Sequence, residues 1–195
     1  LYEEEKIIYS SMAQNKSVMW VYGKKLYIID GKEYLVYDGK KVRTVEGFIP
    51  TTTTGKSATG EGTKFQDVNL LTGVRKNAFV GDGESTAFQL DTEEFDPDYI
   101  VRAWVNDEET VKFSTDPMRG IITFETAPSI PDTIGQTNVI IQFRKTIKGY
   151  RDRITKCTMV EQFDNRVFFS GNPDYPNVLF HSALEDPTYC SDLDY

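Results

Sequence analysis

The sequence predicts an all-β protein in which antiparallel meander segments flank an inserted small β-sandwich. Two observations support this fold class. Short runs of valine, isoleucine, leucine and aromatic residues alternate with turns of glycine, aspartate and proline along most of the chain, a pattern typical of strands. Helix-forming patterns are scarce, and outside the predicted strands only residues 182–185 are expected to form a short turn.

A near-repeat of turns in residues 21–45 predicts a β-meander. Gly23, Gly31 and Gly39 lie eight residues apart and each is followed by lysine. Asp-Gly between apolar runs, found at two of these turns, is typical of β-hairpins. Residues 6–10 and 18–21 are expected to add strands. Because four-stranded antiparallel meanders are the blades of β-propellers, we predict a propeller-blade-like scaffold over residues 1–50.

The end of the chain is predicted to continue this scaffold over residues 150–195. Residues 154–163 and 166–171 have the composition of strands, with a tight turn at residues 163–166 between them. The tail from Asn172 is loop-like, because a proline drives the residue before it into extended or turn geometry. The two outer segments are therefore expected to form one discontinuous unit.

Residues 51–76 are predicted to be a linker. This segment is rich in threonine, glycine and serine and poor in large apolar residues, a composition typical of surface loops and interdomain connections. Its last part, residues 67–76, fits a short turn. Long loops often mark a domain boundary or a contact arm, so we place the start of the inserted module at residue 77.

Residues 77–147 are predicted to form the inserted β-sandwich, from four apolar runs separated by turn-rich segments. In one run, alternation places Arg102 and Trp104 on one face and Ala103 and Val105 on the other. The small apolar residues make the second face the predicted core face. Trp104 is therefore expected to lie on the outer face, packed against a neighbouring domain or available to stack on a ligand.

Length and charge exclude several classes of function. The chain has 195 residues and a net charge of -8, whereas binding of nucleic acid without sequence preference requires a basic face. The same charge argues against an anionic membrane surface, and no apolar run approaches the length of a membrane span. The first residues are acidic, unlike a secretion signal, and there is no initiator methionine. We therefore expect the chain to be part of a longer protein.

Residues suited to catalysis or to transition-metal binding are few. His181 is the single histidine, and catalysis of the Ser-His-Asp or Cys-His type would have to use it; we expect a structural role. Cys157 and Cys190 are expected to be free buried thiols, with a disulfide between them as the alternative. The motif Gly55-Lys56-Ser57 mimics the end of a phosphate-binding loop but lacks the earlier glycine and the following helix.

Acidic and aromatic side chains leave further alternatives open. Clustered carboxylates are expected to be solvated surface, but Asp96-Pro97-Asp98 and residues 81–84 are where a calcium ion would bind. Two close carboxylates in a cleft would instead indicate a glycoside hydrolase. The carboxylates in question are those of Glu93, Glu94, Asp96, Asp98, Asp107 and Glu108. Exposed aromatic residues would favour sugar stacking, and the candidates are Trp20, Trp104, Tyr99 and Tyr175.

The predicted sandwich resembles a module common in bacteriophage tail and fibre proteins. That module opens with a Gly-Asp-Gly turn, here Gly81-Asp82-Gly83, and continues through three apolar strands, here within residues 101–106, 120–128 and 139–143. Over a wider range, from Tyr22 to Tyr189, the chain is similar to a family of large phage and prophage virion proteins often labelled structural or stabilisation proteins. The most specific similarities lie in residues 48–54, 69–72 and 166–177.

This resemblance implies a non-enzymatic structural component of a bacteriophage or prophage particle, in the tail or the head–tail assembly. It implies protein–protein contacts with other virion proteins, an oligomeric arrangement in the particle, and assembly in the cytoplasm of a bacterial host. It provides no catalytic, cofactor-binding or metal-binding residues, so we expect no cofactor. The alternative is a module that binds a host-surface carbohydrate, and a weaker one is a polysaccharide hydrolase.

Overall fold

Sixteen short strands and one helix of six residues make up the regular structure of residues 7–193, the part of the chain that the computed structural model describes. The prediction of an all-β fold is confirmed. In chain order the elements are β1 Val18–Tyr22, β2 Lys25–Ile29, β3 Tyr34–Tyr37, β4 Val42–Thr44, β5 Thr51–Lys56, β6 Thr63–Lys64, β7 Val74–Phe79, β8 Ala87–Gln89, β9 Arg102–Val105, β10 Glu108–Thr110, β11 Phe113–Asp116, β12 Ile121–Phe124, β13 Val139–Arg144, α1 Tyr150–Thr155, β14 Met159–Phe163, β15 Arg166–Ser170 and β16 Phe180–His181.

The chain divides into an outer unit, formed by the residues up to Phe48 and those from Lys148 on, and an inner unit, Ile49–Ile147. In the outer unit, β1 to β4 form an antiparallel meander in sequence order. Gly23 and Lys24 both have positive φ, +54° and +66°, as a two-residue type I′ hairpin turn requires.

An aromatic cluster forms the core beneath this meander. Trp20 stacks on Tyr27 with ring centroids 5.9 Å apart, and it contacts Tyr34 and Phe169 at 5.5 and 5.6 Å. Phe169 belongs to the second sheet of the outer unit, β14-β15-β16. Among the described residues the outer unit thus contains one sheet of four strands and one of three. A propeller around them stays a prediction.

Two strand predictions in the outer unit are wrong. Residues 154–155 end the helix α1 rather than begin a strand. Asn172 supports the end of this helix, because its side-chain amide donates to the backbone oxygens of Asp152 and Arg153 at 3.0 and 2.9 Å, which adds hydrogen-bond partners to the last carbonyls of the helix. The predicted strand at residues 6–10 is also wrong for residues 7–10, while Lys6 lies outside the described residues.

The inner unit is built from a six-stranded sheet in the order β10-β9-β13-β7-β5-β6 and a three-stranded sheet in the order β11-β12-β8. Side chains from both sheets share one apolar core. Phe79 meets Phe88 edge to face at 5.3 Å, and Phe88 meets Phe124 at 5.4 Å. Ala103 is buried in this core, which confirms the predicted core face of its strand.

The structure corrects the prediction of a linker at residues 51–76. Thr51–Lys56 is β5, which pairs in parallel with β7 and antiparallel with the short β6. Threonine favours strands because its branched side chain packs well on a pleated surface, and Thr52 is buried here. The segment is therefore part of the six-stranded sheet, and the inner unit begins at Ile49 rather than at residue 77.

Candidate interaction surface

The outer face of the six-stranded sheet collects long polar and aromatic side chains. On β13, Ile141 and Phe143 point into the core, so Gln142 between them lies on the outer face. The register places Gln142 opposite Lys76 on β7 and opposite Arg102 on β9. We name the outward set the aromatic–arginine face. Its members are Lys76, Tyr99, Arg102, Trp104, Gln142 and Arg144.

Trp104 is held in place by cations. The guanidinium carbon of Arg102 lies 4.8 Å from the centroid of the indole ring, and Lys76 Nζ lies 5.7 Å from it, within the range of cation–π attraction. Arg102 is itself fixed, because its Nε and Nη2 donate to the two carboxylate oxygens of Glu109 at 2.7 and 2.9 Å. Trp104 is half-buried and lies on the outer face, as its strand pattern predicted.

Tyr99 is held in the same manner at the other side of the face. Gln142 Nε2 donates to the Tyr99 hydroxyl at 2.7 Å, and the Arg144 guanidinium lies 5.3 Å from the ring centroid. Arg144 donates to the carboxylates of Asp96 and Asp98 at 2.6 and 2.7 Å. The face therefore presents two aromatic rings whose positions are set by charged neighbours.

Both arginines of this face are paired with carboxylates of the inner unit. Burial alone would raise the pKa of Asp96, but hydrogen bonds from Thr146 and Arg144 outweigh burial, so the pKa is lowered. The hydrogen bond from Arg102 lowers the pKa of Glu109. Lys76 forms no ion pair within residues 7–193. The arrangement is preformed and offers aromatic and guanidinium contacts together with one ammonium group.

The loops considered for calcium use their carboxylates internally. Asp96 accepts from Arg144 and from both the backbone and the hydroxyl of Thr146. Asp82 accepts from the backbone of Glu84 and from the backbone and hydroxyl of Ser85, and these bonds lower its pKa to about 2. Within the described residues no three side chains of the metal-binding types are grouped to hold an ion.

The residues considered for catalysis are also engaged in structure. His181 packs against Phe168 with ring centroids 5.8 Å apart and the ring planes tilted by 55°. Lys56 is buried, donates to the backbone oxygen of Glu61 at 3.2 Å and lies over the Phe79 ring; burial lowers its pKa. The motif around Lys56 ends a strand of the sheet and precedes no helix.

Cys157 and Cys190 are both buried and are not joined by a disulfide, so the expectation of thiols rather than a disulfide is confirmed. Burial raises the pKa of Cys157 to about 12 and raises that of Cys190 as well, which disfavours the nucleophilic thiolate form. Trp20 lies in the core of the outer unit, so its ring is not accessible for stacking on a sugar. Tyr175 packs against Phe180 and against the Arg153 guanidinium.

Sequence reasoning found Trp104, Arg102 and Tyr99 but missed three partners on the same face. A signal for them exists, because Lys76 alternates with the inward residues of β7, and Gln142 and Arg144 alternate with those of β13. Only the strand register shows that these three lie beside Trp104 and Tyr99.

No family model, no curated protein sequence and no solved structure matches this chain. Within residues 7–193, no helix has the length and apolar character that crossing a bilayer requires.

Proposed function

We propose that this chain is a non-enzymatic structural component of a bacteriophage or prophage particle, in the tail or head–tail assembly, that acts through protein–protein contacts. The observation that supports this most is the aromatic–arginine face of the inner unit. Tryptophan, tyrosine and arginine are the residues enriched among those that dominate binding energy at protein interfaces. Here two aromatic rings and two arginines share one sheet face.

Preorganisation supports the same proposal. The rings of Trp104 and Tyr99 are held by Arg102 and Arg144, and each arginine is held in turn by carboxylates. Side chains that are already ordered lose less conformational entropy on binding. The proposed location rests on the resemblance of the sequence to phage virion proteins. It is a particle in which the chain contacts other virion proteins in an oligomeric arrangement.

A host-surface carbohydrate is the alternative partner. The observation in its favour is that Trp104 and Tyr99, two aromatic side chains of the kind that stack on sugars, occupy the same sheet face. Against it, Arg102 and Lys76 both lie over the Trp104 ring, so a sugar would have to share or displace them. Protein contact uses the arginines as well as the rings, and we favour it for that reason.

Immunogold electron microscopy tests the particle role. An antibody raised against this chain is expected to label the tail or neck of phage particles induced from the source strain. Intact particles without label, with the antibody shown to bind the native parent protein, would overturn the proposal. Glycan-array binding that is lost in Trp104→Ala would establish the carbohydrate alternative instead.

The aromatic–arginine face has its own test within that experiment. Particles assembled with Trp104→Ala or Arg102→Ala are expected to contain roughly thirtyfold less of the chain. Interface residues of this kind contribute about 2 kcal/mol or more, and about 1.4 kcal/mol corresponds to a factor of ten in binding. Ile134→Ala is the matched control, since Ile134 is fully exposed in a loop of the same unit. Normal incorporation of all three variants would show that the face is not the contact.

A further inference from the structure

An open apolar groove lies between two sheet edges of the outer unit. β1 is the edge strand of the four-stranded sheet and β14 is the edge strand of the three-stranded sheet. The groove has a volume of about 640 Å³, and its apolar lining is Val18, Met19, Met159, Val160, Phe168 and Leu179. Met19, Met159 and Leu179 are 54%, 58% and 51% exposed, which is unusual for a cluster of large apolar side chains.

The two edge strands run in the same direction and are joined at one end only. Gln162 Nε2 on β14 donates to the backbone oxygen of Val21 on β1 at 2.7 Å. The Tyr22 hydroxyl donates to the backbone oxygen of Asn165 at 3.1 Å. These side-chain bridges close the space at the C-terminal ends of both strands. Toward Val18 and Met159 the strands face each other across the groove without a bridging hydrogen bond between described residues.

The hairpin turns determine which backbone groups point into the groove. β1 and β2 are joined by the two residues Gly23 and Lys24, so Tyr22, next to the turn, bonds toward β2. Backbone groups alternate along a strand, and both groups of one residue point to the same side. The backbone of Val21 therefore points away from β2, as its bond from Gln162 shows, and so does that of Met19.

The same reasoning applies to β14. Its hairpin to β15 also has two turn residues, Asp164 and Asn165, with φ of +47° and +59°. Phe163, next to this turn, bonds toward β15, so the backbone groups of Val160 point away from it. Met19 and Val160 thus direct backbone N–H and C=O groups toward the groove from opposite walls.

The groove has strand edges with backbone hydrogen-bonding groups on both walls and an apolar floor between them. These features fit an extended peptide. Exposed strand edges are templates for another strand, and in β-augmentation the main-chain hydrogen bonds give affinity while alternate side chains fill pockets. A lipid chain would fill the apolar floor but would leave the backbone groups without partners. Lys16 and Glu161 line the groove as well, and neither forms an ion pair within the described part of the chain.

We infer that the groove between β1 and β14 binds an extended segment of another protein chain as an added strand. The segment has apolar side chains at alternate positions, over Met159 and Leu179, with one acidic residue for Lys16 and one basic residue for Glu161. This inference rests on the proposed role in protein–protein contact and adds a second contact, on the outer unit, to the aromatic–arginine face of the inner unit.

Selection of a displayed library of random peptides, each about ten residues long and so sufficient for one strand, tests the inference on the full chain. Enriched peptides are expected to alternate apolar residues and to bind Met159→Lys and Leu179→Lys about tenfold more weakly or worse. Both substitutions are at half-exposed positions, so the fold is kept. Met118→Lys, at a 69% exposed position in the inner unit, is the matched control and is expected to bind normally.

A proline variant tests the backbone pairing itself. Met19→Pro removes an N–H that points away from β2, which edge strands tolerate, and is expected to weaken peptide binding while the far-ultraviolet circular dichroism is unchanged. Val160→Pro is the equivalent change on the other wall.

Three results would overturn the inference: no enriched peptide, peptides that bind Met159→Lys as well as the unaltered chain, or concentration-dependent dimerisation that Met159→Lys abolishes, which would identify a second copy as the occupant. Particles that carry immunogold label while the groove binds no peptide would separate failure of this inference from failure of the proposed function.

Discussion

The hydroxyl of Thr52 donates a hydrogen bond to the carboxylate of Asp91, which connects a strand that the sequence assigned to a linker with a loop of the sandwich. Asn77 completes the network. Its Nδ2 donates to Thr52 Oγ1 at 3.0 Å, and its Oδ1 accepts from the backbone of Asp91 at 2.8 Å. Nδ2 also donates to the backbone oxygen of Lys76 at 3.1 Å. Asn77 is fully buried, so its amide depends on these three partners.

We expect Thr52→Val to lower the free energy of unfolding of the inner unit by about 1–3 kcal/mol, because it takes the Thr52 hydroxyl away from the buried amide of Asn77 and from the Asp91 carboxylate. Urea denaturation followed by Trp104 fluorescence, in a Trp20→Phe background, measures this. Thr53→Val is the matched control. Thr53 Oγ1 is buried without a hydrogen bond in the described residues, so that change is expected to be neutral or stabilising. Equal losses in both variants would contradict the network's role.

Gly120 is required by backbone geometry. Its φ is +66°, and an added Cβ would lie 2.1 Å from the backbone oxygen of Thr92. We expect Gly120→Ala to cost more than about 2 kcal/mol of unfolding free energy, since left-handed geometry alone costs an L residue roughly 1–2 kcal/mol. Gly135 has φ +79° with open space around it, so Gly135→Ala pays only that smaller cost. Urea midpoints compare the two, and equal shifts would argue against a clash at Thr92.

Trp20 is expected to dominate the stability of the outer unit. Replacing Trp20 by alanine empties the centre of the cluster with Tyr27, Tyr34 and Phe169 and is expected to cost about 3–5 kcal/mol. Trp20→Phe should cost much less, because it keeps an aromatic ring and removes an indole N–H that is buried without a partner in the described residues. Near-ultraviolet circular dichroism during thermal unfolding checks this. A similar loss in the exposed-site control Val21→Ala would contradict it.

Acidification is expected to destabilise the inner unit through Asp82. Its pKa is lowered from 3.8 to about 2 in the folded chain by hydrogen bonds from Ser85 and Glu84. A lowered folded pKa adds stability above the unfolded value and loses it as pH falls through the folded value. The free energy of unfolding should therefore decline as the pH falls from about 4 to about 2, and it should decline less steeply in Asp82→Ala. Denaturation series at several pH values measure both slopes, and parallel slopes would rule out this contribution.

Several elements could be predicted from local patterns alone. The hairpin turns at Gly23 and at Asp164 follow from residues that tolerate positive φ between apolar runs. The face assignment of Ala103 and Trp104 follows from alternation along one strand. Each of these inferences uses interactions between residues close together in the chain, and each is confirmed.

The errors come from residues far apart. The segment of residues 51–56 looked like a linker because threonine and glycine are common in loops. It became β5 because it pairs in parallel with β7 and because the Thr52 hydroxyl donates to Asp91. The start of the predicted strand, at Ile154, belongs instead to the helix, whose end accepts hydrogen bonds from the distant side chain of Asn172. In both places a distant partner outweighs local propensity.

The sequence by itself determined the all-β class, the hairpins and the two-sided strand of Trp104, because a strand's alternation and a turn's φ values depend on neighbouring residues. Tertiary structure alone decided that Lys76, Gln142 and Arg144 join Trp104 and Tyr99 on one face, and that β1 and β14 border a common groove. Strand register and the meeting of two sheet edges are set by packing between distant segments. The sequence of a single segment does not reveal that packing.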